Sequence, residues 1–319
     1  MGRDDDQPIL EAIDVAKSYG ARRALRGVSF AVRRGEIVGL LGPNGAGKTT
    51  TLSILSTVLA PDSGVVRIAG RSPRDEPGLC RRLGLVPQSL ALYPTLSAFQ
   101  NVRHFARMQG LARRDAADAA TRTIDLVGLA DRAHDTARTL SGGMQRRLNL
   151  ACGIVHRPVV LLLDEPTVGV DLESRERILA LIRGLRDDGT GVVYSTHYME
   201  EAERLCDRVF LIDDGTLVAD GSVAALIARA GGRPRMELTC RGRVPDTTWA
   251  GLDGVREVGE SRGEGRVTLE MASLAQAAPL LERVNAAGVA VLNFSLHSPN
   301  LADAFLALTG RSLRESAAA

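Results

Sequence analysis

The run Gly42-Pro43-Asn44-Gly45-Ala46-Gly47-Lys48-Thr49 carries the pattern G-x-x-x-x-G-K-[ST]. Chain that curls through such glycines turns backbone N–H groups inward, where they can surround phosphate oxygens. A helix that follows points its positive amino end at the same oxygens. In that frame Lys48 reaches the β and γ phosphates, Thr49 offers a hydroxyl to Mg²⁺, and Thr50 continues the phosphate-facing turn. A magnesium nucleotide also needs a carboxylate near its metal, and Asp164 stands at the end of the apolar run 159–163. Glu165, its neighbour, is placed to orient or deprotonate an attacking water. The chemistry these residues suit is phosphoryl transfer from a nucleoside triphosphate to water.

Such groups must be held at the ends of strands, and the flanking sequence supplies them. Ile37-Val38-Gly39-Leu40-Leu41 is apolar on both faces, as a doubly covered strand requires, and it feeds the glycine turn. A helix is predicted from about Lys48 to Leu59, closed by Pro61. Runs at 159–163, 192–195 and 209–212 repeat the buried-strand pattern with helices between them, which predicts parallel crossovers. Ahead of them, 10–16, 28–32 and 65–68 read as antiparallel strands. Between about 90 and 140 the apolar residues take helical spacing, as in Val102, Phe105, Ala106 and Met108, so a helical subdomain is expected there. The pattern changes again at the linker Gly231-Gly232-Arg233-Pro234. Beyond it, strands at 236–240, 255–258, 267–271 and 289–296 and helices at 274–286 and 301–308 predict a small α+β domain.

Composition narrows the class. The 319 residues are 45% hydrophobic and 24% charged, a folded globular balance that excludes disordered and disulfide-scaffold chains. Net charge is +2 and aromatics are 3%, so neither a basic field nor a stacking surface recruits nucleic acid. Lysine occurs only at Lys17 and Lys48, a hint that Lys48 is kept for chemistry. Cys80, Cys152, Cys206 and Cys240 show no ligand spacing and suit free thiols. The acidic opening Met1-Gly2-Arg3-Asp4-Asp5-Asp6 lacks an apolar segment, so no signal peptide is expected. No stretch reaches 18 apolar residues, so any action at a membrane is expected to go through a partner.

Upstream of the acids lies Leu140-Ser141-Gly142-Gly143-Met144-Gln145. Ser141 is a good helix cap, and the glycines bare N–H groups at the helix start, which makes a second anion site. With these motifs in order over about residues 9–225, the chain resembles the nucleotide-binding subunit of ATP-binding cassette (ABC) transporters. The resemblance implies an α/β P-loop NTPase cassette with a mixed-sheet core, an antiparallel β subdomain and an inserted helical subdomain. It implies an ATP-binding domain over 1–230, an α+β accessory domain over 235–310 and a tail at 311–319.

Carried over onto this sequence, Tyr19 resembles the aromatic that stacks on adenine and Gly42 to Thr49 the phosphate loop. Gln88 resembles the glutamine that touches Mg²⁺ and the attacking water, Asp164 the metal aspartate and Glu165 the catalytic glutamate. Ser141, Gly142 and Gly143 resemble the signature, Asp171 the loop aspartate after it, and His197 the histidine that contacts γ-phosphate. Met144 stands where the family most often has glutamine, and Val168-Gly169-Val170-Asp171 where Ser-Ala-Leu-Asp is commoner. His104, His134, His156 and His297 match nothing and read as structural, and Arg71, Arg74, Arg81 and Arg82 as a solvated face.

The family architecture implies that the signature caps ATP held by a second cassette, so a head-to-tail homodimer around two ATP and Mg²⁺ is expected. The partner implied is a separate ABC-2 permease, with the chain peripheral on the cytoplasmic face of the membrane and no nucleic acid bound. Tyr198 to Glu203 and Pro299 to Gly310 resemble the daunorubicin-resistance branch of drug and antibiotic exporters. Export of polysaccharide, lipid or sodium is the nearer alternative, and a soluble cassette ATPase acting on ribosomes or nucleic acid the more distant one. The carboxyl-terminal domain is expected to stabilise the dimer or regulate it.

Overall fold

The computed structural model describes residues 7–258 and 265–310. They divide into two compact units between Val223 and Ala224. In the larger unit the order is β1 (Leu10–Tyr19), β2 (Arg22–Val32), β3 (Ile37–Leu41), α1 (Lys48–Leu55), β4 (Ser63–Ile68) and β5 (Leu83–Val86). Then come α2 (Ala98–Met108), α3 (Arg113–Leu126), α4 (Gly142–Ile154), β6 (Val160–Asp164), α5 (Leu172–Asp187) and β7 (Gly191–Thr196). The series closes with α6 (Met199–Leu205), β8 (Arg208–Asp213) and β9 (Thr216–Gly221), before α7 (Val223–Arg229).

Six strands form the central sheet in the order β5-β6-β7-β3-β8-β9, parallel except for β9. Every residue of β3, β6 and β7 is buried, which accounts for the unbroken apolar runs. Side chains alternate between the two faces. Leu161, Leu163, Val192 and Tyr194 join the core built with α2 to α5, whereas Val160, Leu162, Val193, Val38 and Leu40 join the core built with α1 and the other sheet. That other sheet is β2-β1-β4, all antiparallel. Its strands β1 and β2 run longer than predicted and meet at the turn after Tyr19, where Tyr19 pairs with Arg22.

Because parallel strands all point the same way, their loops emerge at one edge. The phosphate loop follows β3, Gln88 follows β5 by two residues, Asp164 ends β6 and His197 follows β7. The sheet order β5-β6-β7-β3 is thus also the order in which the chemical groups are laid side by side, about 4.8 Å per strand.

Helix starts follow the capping chemistry. Ser97 and Gln100 form a capping box at α2, and Ser141 and Asp171 cap α4 and α5. One predicted boundary is corrected: α1 ends at Leu55 and not near Leu59, because Thr57 takes a left-handed conformation with φ of 65°. The segment 77–86, which no helix or strand pattern had marked, holds a 3-10 turn and the short strand β5.

The smaller unit runs from Ala224 to Gly310. It holds β10 (Arg235–Arg241), β11 (Arg256–Glu257), β12 (Arg266–Glu270), α8 (Ala277–Ala286), β13 (Ala290–His297) and α9 (Leu301–Thr309). The strands make one antiparallel sheet ordered β11-β12-β10-β13, with a core of residues such as Met236, Leu238, Trp249, Leu269 and Leu280. The helix predicted from Leu274 begins at Ala277 after one 3-10 turn, and the strand expected at 255–258 is two residues long. The tail 311–319 lies outside the described residues.

Candidate active site

Between β3 and α1 the chain curls so that Gly47, with φ of 111°, serves as the cap of α1. That conformation is strained for any residue with a Cβ, and the first turn of α1 carries no acidic side chain, as an anion site requires. Lys48 is 5% exposed. Its Nζ donates to the Gly42 and Pro43 carbonyl oxygens at 2.8 and 3.1 Å and lies 3.6 Å from Glu165 Oε1. Burial pushes the Lys48 pKa below the ordinary lysine value, opposed by the charges of Glu165 and Asp164.

The acids are set by the end of β6. Asp164 pairs with Ser195 in register, and Ser195 Oγ donates to Asp164 Oδ1 at 2.6 Å. Glu165 then turns into the left-handed region at φ of 46°, a conformation that costs a non-glycine residue about 1 kcal/mol or more. Its N–H is shared between the carbonyl and hydroxyl oxygens of Ser195, each at 3.1 Å, and this holds the turn. The Glu165 carboxylate is consequently gripped from two neighbouring strand ends. Gln88 Nε2 donates to Oε2 at 3.1 Å, and His197 Nδ1 approaches Oε1 at 3.1 Å. A carboxylate only accepts, so Nδ1 is the donor in that contact.

Tyr19, Asn44, Gly45, Gly47, Lys48, Thr49, Thr50, Gln88 and Glu165 line one cavity of about 470 Å³. This size lies in the usual range for a small-molecule site. Gly42 and Pro43 lie behind it through their carbonyls, buried Ala46 braces the loop through its N–H to Pro43 O at 3.2 Å, and Asp164 sits beside Glu165. Tyr19 is 52% exposed at the mouth. A larger cavity of about 570 Å³ opens beside Arg34, Arg122 and Arg157 and holds none of the predicted residues.

Ser141, Gly142, Gly143 and Asp171 are brought to a different place: none of them lines the cavity around Lys48. Ser141 Oγ accepts from Met144 N at 3.3 Å. Asp171 accepts from the N–H and the hydroxyl of Ser174, both at 2.8 Å, and these bonds hold its carboxyl below the usual range. Gly143 is where the two helix starts touch, since a Cβ there would lie 2.0 Å from Ser174 Oγ and 3.3 Å from Asp171 Oδ2. Gly143→Ala is therefore expected to destabilise the fold by about 1–3 kcal/mol in urea unfolding. ATPase turnover should fall with it while ATP affinity at Lys48 holds. Met144 turns its side chain to the apolar core, which suits methionine at that position.

Two residues of this region escaped the sequence reading. Arg146 donates to the carbonyls of Gln88 and, at 3.1 Å, Val168, tying α4 to the loops on either side of Glu165. Nothing in the sequence separates it from Arg147, which turns the other way to the carbonyls of Val127 and Gly128. Arg22 lines the cavity and donates to Gly45 O at 3.2 Å, a role visible only once the β1–β2 turn is seen beside the phosphate loop.

The donor set fits a hydrated hard cation. Gln88 gives its amide nitrogen to Glu165, leaving its oxygen for a metal, and Asp164 has one oxygen beyond the Ser195 bond. Among the described residues no three His, Cys, Asp or Glu side chains converge as a full metal cage. So small a donor set would suit Mg²⁺, which keeps waters and relies on substrate phosphates.

Comparison with known proteins identifies the family. A family model described as ABC transporter matches residues 25–168. Over 96% of its length the chain is 39% identical to the linearmycin resistance ATP-binding protein LnrL of Bacillus subtilis (strain 168), all of which is covered. The chain belongs to the ABC transporter ATP-binding proteins. This ABC ATPase is also 43% identical, over 72% of its length and 70% of the relative's, to the doxorubicin resistance ATP-binding protein DrrA of Mycobacterium tuberculosis (strain ATCC 25618 / H37Rv). The ATP-binding cassette MJ0796, solved as a dimer in a post-hydrolysis state with ADP and Pi, superposes with a TM-score of 0.62 at 28% identity. That match covers 67% of this chain and 98% of the other. The ABC ATPase has the expected P-loop cassette fold and the family's nucleotide-binding, ATP-hydrolysing activity. As an ATP-binding subunit it implies a membrane partner, and no described helix is long and apolar enough to cross a membrane.

Proposed function

We propose that this ABC ATPase binds MgATP in the Lys48 cavity, hydrolyses it as a head-to-tail homodimer, and drives an ABC-2 permease that exports drugs or antibiotics. The observation that carries the hydrolytic reading is the Glu165 carboxylate, fixed by Gln88 and His197 beside a buried lysine at the mouth of a phosphate loop. Backbone N–H groups of the loop and the amino end of α1 bind the phosphates, and Lys48 turns from the Gly42 and Pro43 carbonyls to the β and γ oxygens. Thr49, Gln88 and Asp164 would hold Mg²⁺, which would supply charge neutralisation at the phosphates. Glu165 accepts the proton of the attacking water, whose oxygen bonds to the γ phosphorus as the bond to ADP breaks. His197 keeps Glu165 oriented and meets the γ-phosphate, while Tyr19 stacks on adenine.

The dimer is supported by the separation of Ser141, Gly142, Gly143 and Asp171 from that cavity: an anion-binding helix start with no phosphate of its own fits the ATP of a second copy. ATP bound by both faces closes the pair and ADP releases it. The relatives named for linearmycin and doxorubicin resistance support the exporter branch. The chain then works peripherally on the cytoplasmic face of the membrane, and residues 235–310 stabilise or regulate the dimer.

Co-purification of tagged Glu165→Gln chain from its native membranes with ATP and Mg²⁺ tests this reading. A polytopic membrane protein is the expected companion. Recovery of ribosomes or nucleic acid in its place would move the ATPase to the soluble class.

A further inference from the structure

We infer that Glu201 is a positioning residue for hydrolysis, fastening the loop that carries Glu165 to the loop that carries His197; this rests on the roles proposed above for those two residues. Glu201 lies on α6 and is 3% exposed. Its Oε2 accepts from Tyr194 OH at 2.6 Å, Thr167 Oγ1 at 2.9 Å and Thr196 Oγ1 at 3.3 Å. Its Oε1 faces Arg175 Nε at 3.3 Å.

The donors come from three segments of the chain. Thr167 is two residues past Glu165, Thr196 immediately precedes His197, and Arg175 is one turn into α5, the helix that Asp171 caps. All three hydroxyl side chains are buried. A carboxylate only accepts, so each hydroxyl directs its one proton to Glu201, and the 3.2 Å contact between Thr167 and Tyr194 adds no further bond. Burial, together with the Glu201 charge, pushes the Tyr194 phenol far above its ordinary pKa, so it stays a donor. Thr196 Oγ1 also accepts the N–H of Tyr198 at 2.9 Å. The Tyr198 ring in turn lies 4.2 Å from the His197 ring and under the Arg175 guanidinium at 5.4 Å.

A buried carboxylate is tolerated only when such donors satisfy it, and once satisfied it fixes whatever supplies them. Here it fixes the two loops whose tips make the 3.1 Å contact between His197 Nδ1 and Glu165 Oε1. Among the described residues no hydrogen bond or ion pair joins Glu201 to Lys48 or the phosphate loop, so nucleotide binding and hydrolysis should respond differently to its loss.

The test is steady-state ATPase kinetics with ATP-binding titrations on Glu201→Gln, Thr167→Val and Thr167→Ser, each assayed well below its Tm. Glutamine has a single side-chain oxygen, so it cannot accept all three hydroxyls and also face Arg175. Glu201→Gln should lower kcat by on the order of tenfold to a hundredfold with KM for ATP within about twofold, the pattern of misplaced catalytic groups. Thr167→Val should shift kcat the same way by less, and Thr167→Ser, which keeps the hydroxyl, should recover most of that loss. Should Glu201→Gln fail to fold, the Thr167 pair carries the test. Wild-type kcat in Glu201→Gln, or a lowered Tm in Glu201→Gln and Thr167→Val with kcat untouched, overturns the inference. Glu165→Gln is run alongside: normal turnover there defeats the hydrolytic reading itself, whereas slow Glu165→Gln beside normal Glu201→Gln defeats only the positioning role.

Discussion

Glu165→Gln should hold ATP with an affinity within a few fold of wild type while hydrolysing it on the order of a hundredfold or more slowly, the range for removing a general base. The substitution keeps size and shape, so the phosphate loop and the α1 amino end are untouched. Gln88 can still donate, now to an amide oxygen at the Oε2 position. Across the group, the His197 and Lys48 donors that faced Oε1 meet an amide N–H₂ and lose their acceptor. The variant thus loses the proton acceptor and the histidine clamp together, yet keeps the phosphate site. Single-turnover hydrolysis and a binding titration separate the two effects. Turnover near wild type would show that another group takes the proton, and lost ATP binding would show that Glu165 serves mainly to hold Lys48.

Lys48→Ala acts on the other half of the site. A charge-assisted contact to phosphate contributes about 1.5–3 kcal/mol, so ATP affinity should fall by roughly tenfold to a hundredfold or somewhat more. The pH dependence supplies a sharper signature. In the free protein, burial lowers the Lys48 pKa more than Glu165 and Asp164 raise it. Added phosphate charge favours the ammonium form, so the bound-state pKa is higher than the free one. Below the lowered pKa the lysine is already charged and affinity is flat in pH. Above it, binding must take up a proton, and affinity declines as pH rises toward the bound-state value. Titration calorimetry in buffers of different ionisation enthalpy reads that uptake directly, and it should vanish in Lys48→Ala. A pH-independent wild-type affinity across the alkaline range would place Lys48 away from the phosphates.

What could be read in advance was local chemistry. The phosphate loop declares itself because its glycines, lysine and threonine act through consecutive backbone, and buried strands declare themselves because both faces are covered. Ser141 was legible as a cap for the same reason. Residues whose partners are distant in the chain were not. Glu201 sits beside exposed Glu200, and only folding distinguishes the acid that meets Thr167 and Tyr194 from the one that meets water. Arg146 binds carbonyls, which carry no side-chain signal. β5 is four residues long, too short for its alternation to register, yet it carries Gln88 into the site. The end of α1 depended on one left-handed residue, Thr57, that propensity does not mark.

The strand order has a consequence for the newborn chain. β3 emerges with the phosphate loop early, but both of its neighbours in the sheet, β7 and β8, begin only at Gly191 and Arg208. Until translation has passed those points, an apolar strand with two bare edges must wait, which is a template for mispairing and a natural client for chaperones. Nucleotide can offer no help during that interval, since the phosphate loop that would bind it hangs from a β3 strand still unpaired with β7 and β8. Competence to bind ATP should therefore appear abruptly and late in synthesis, when the segment through β8 clears the ribosome and the long-range pairs close.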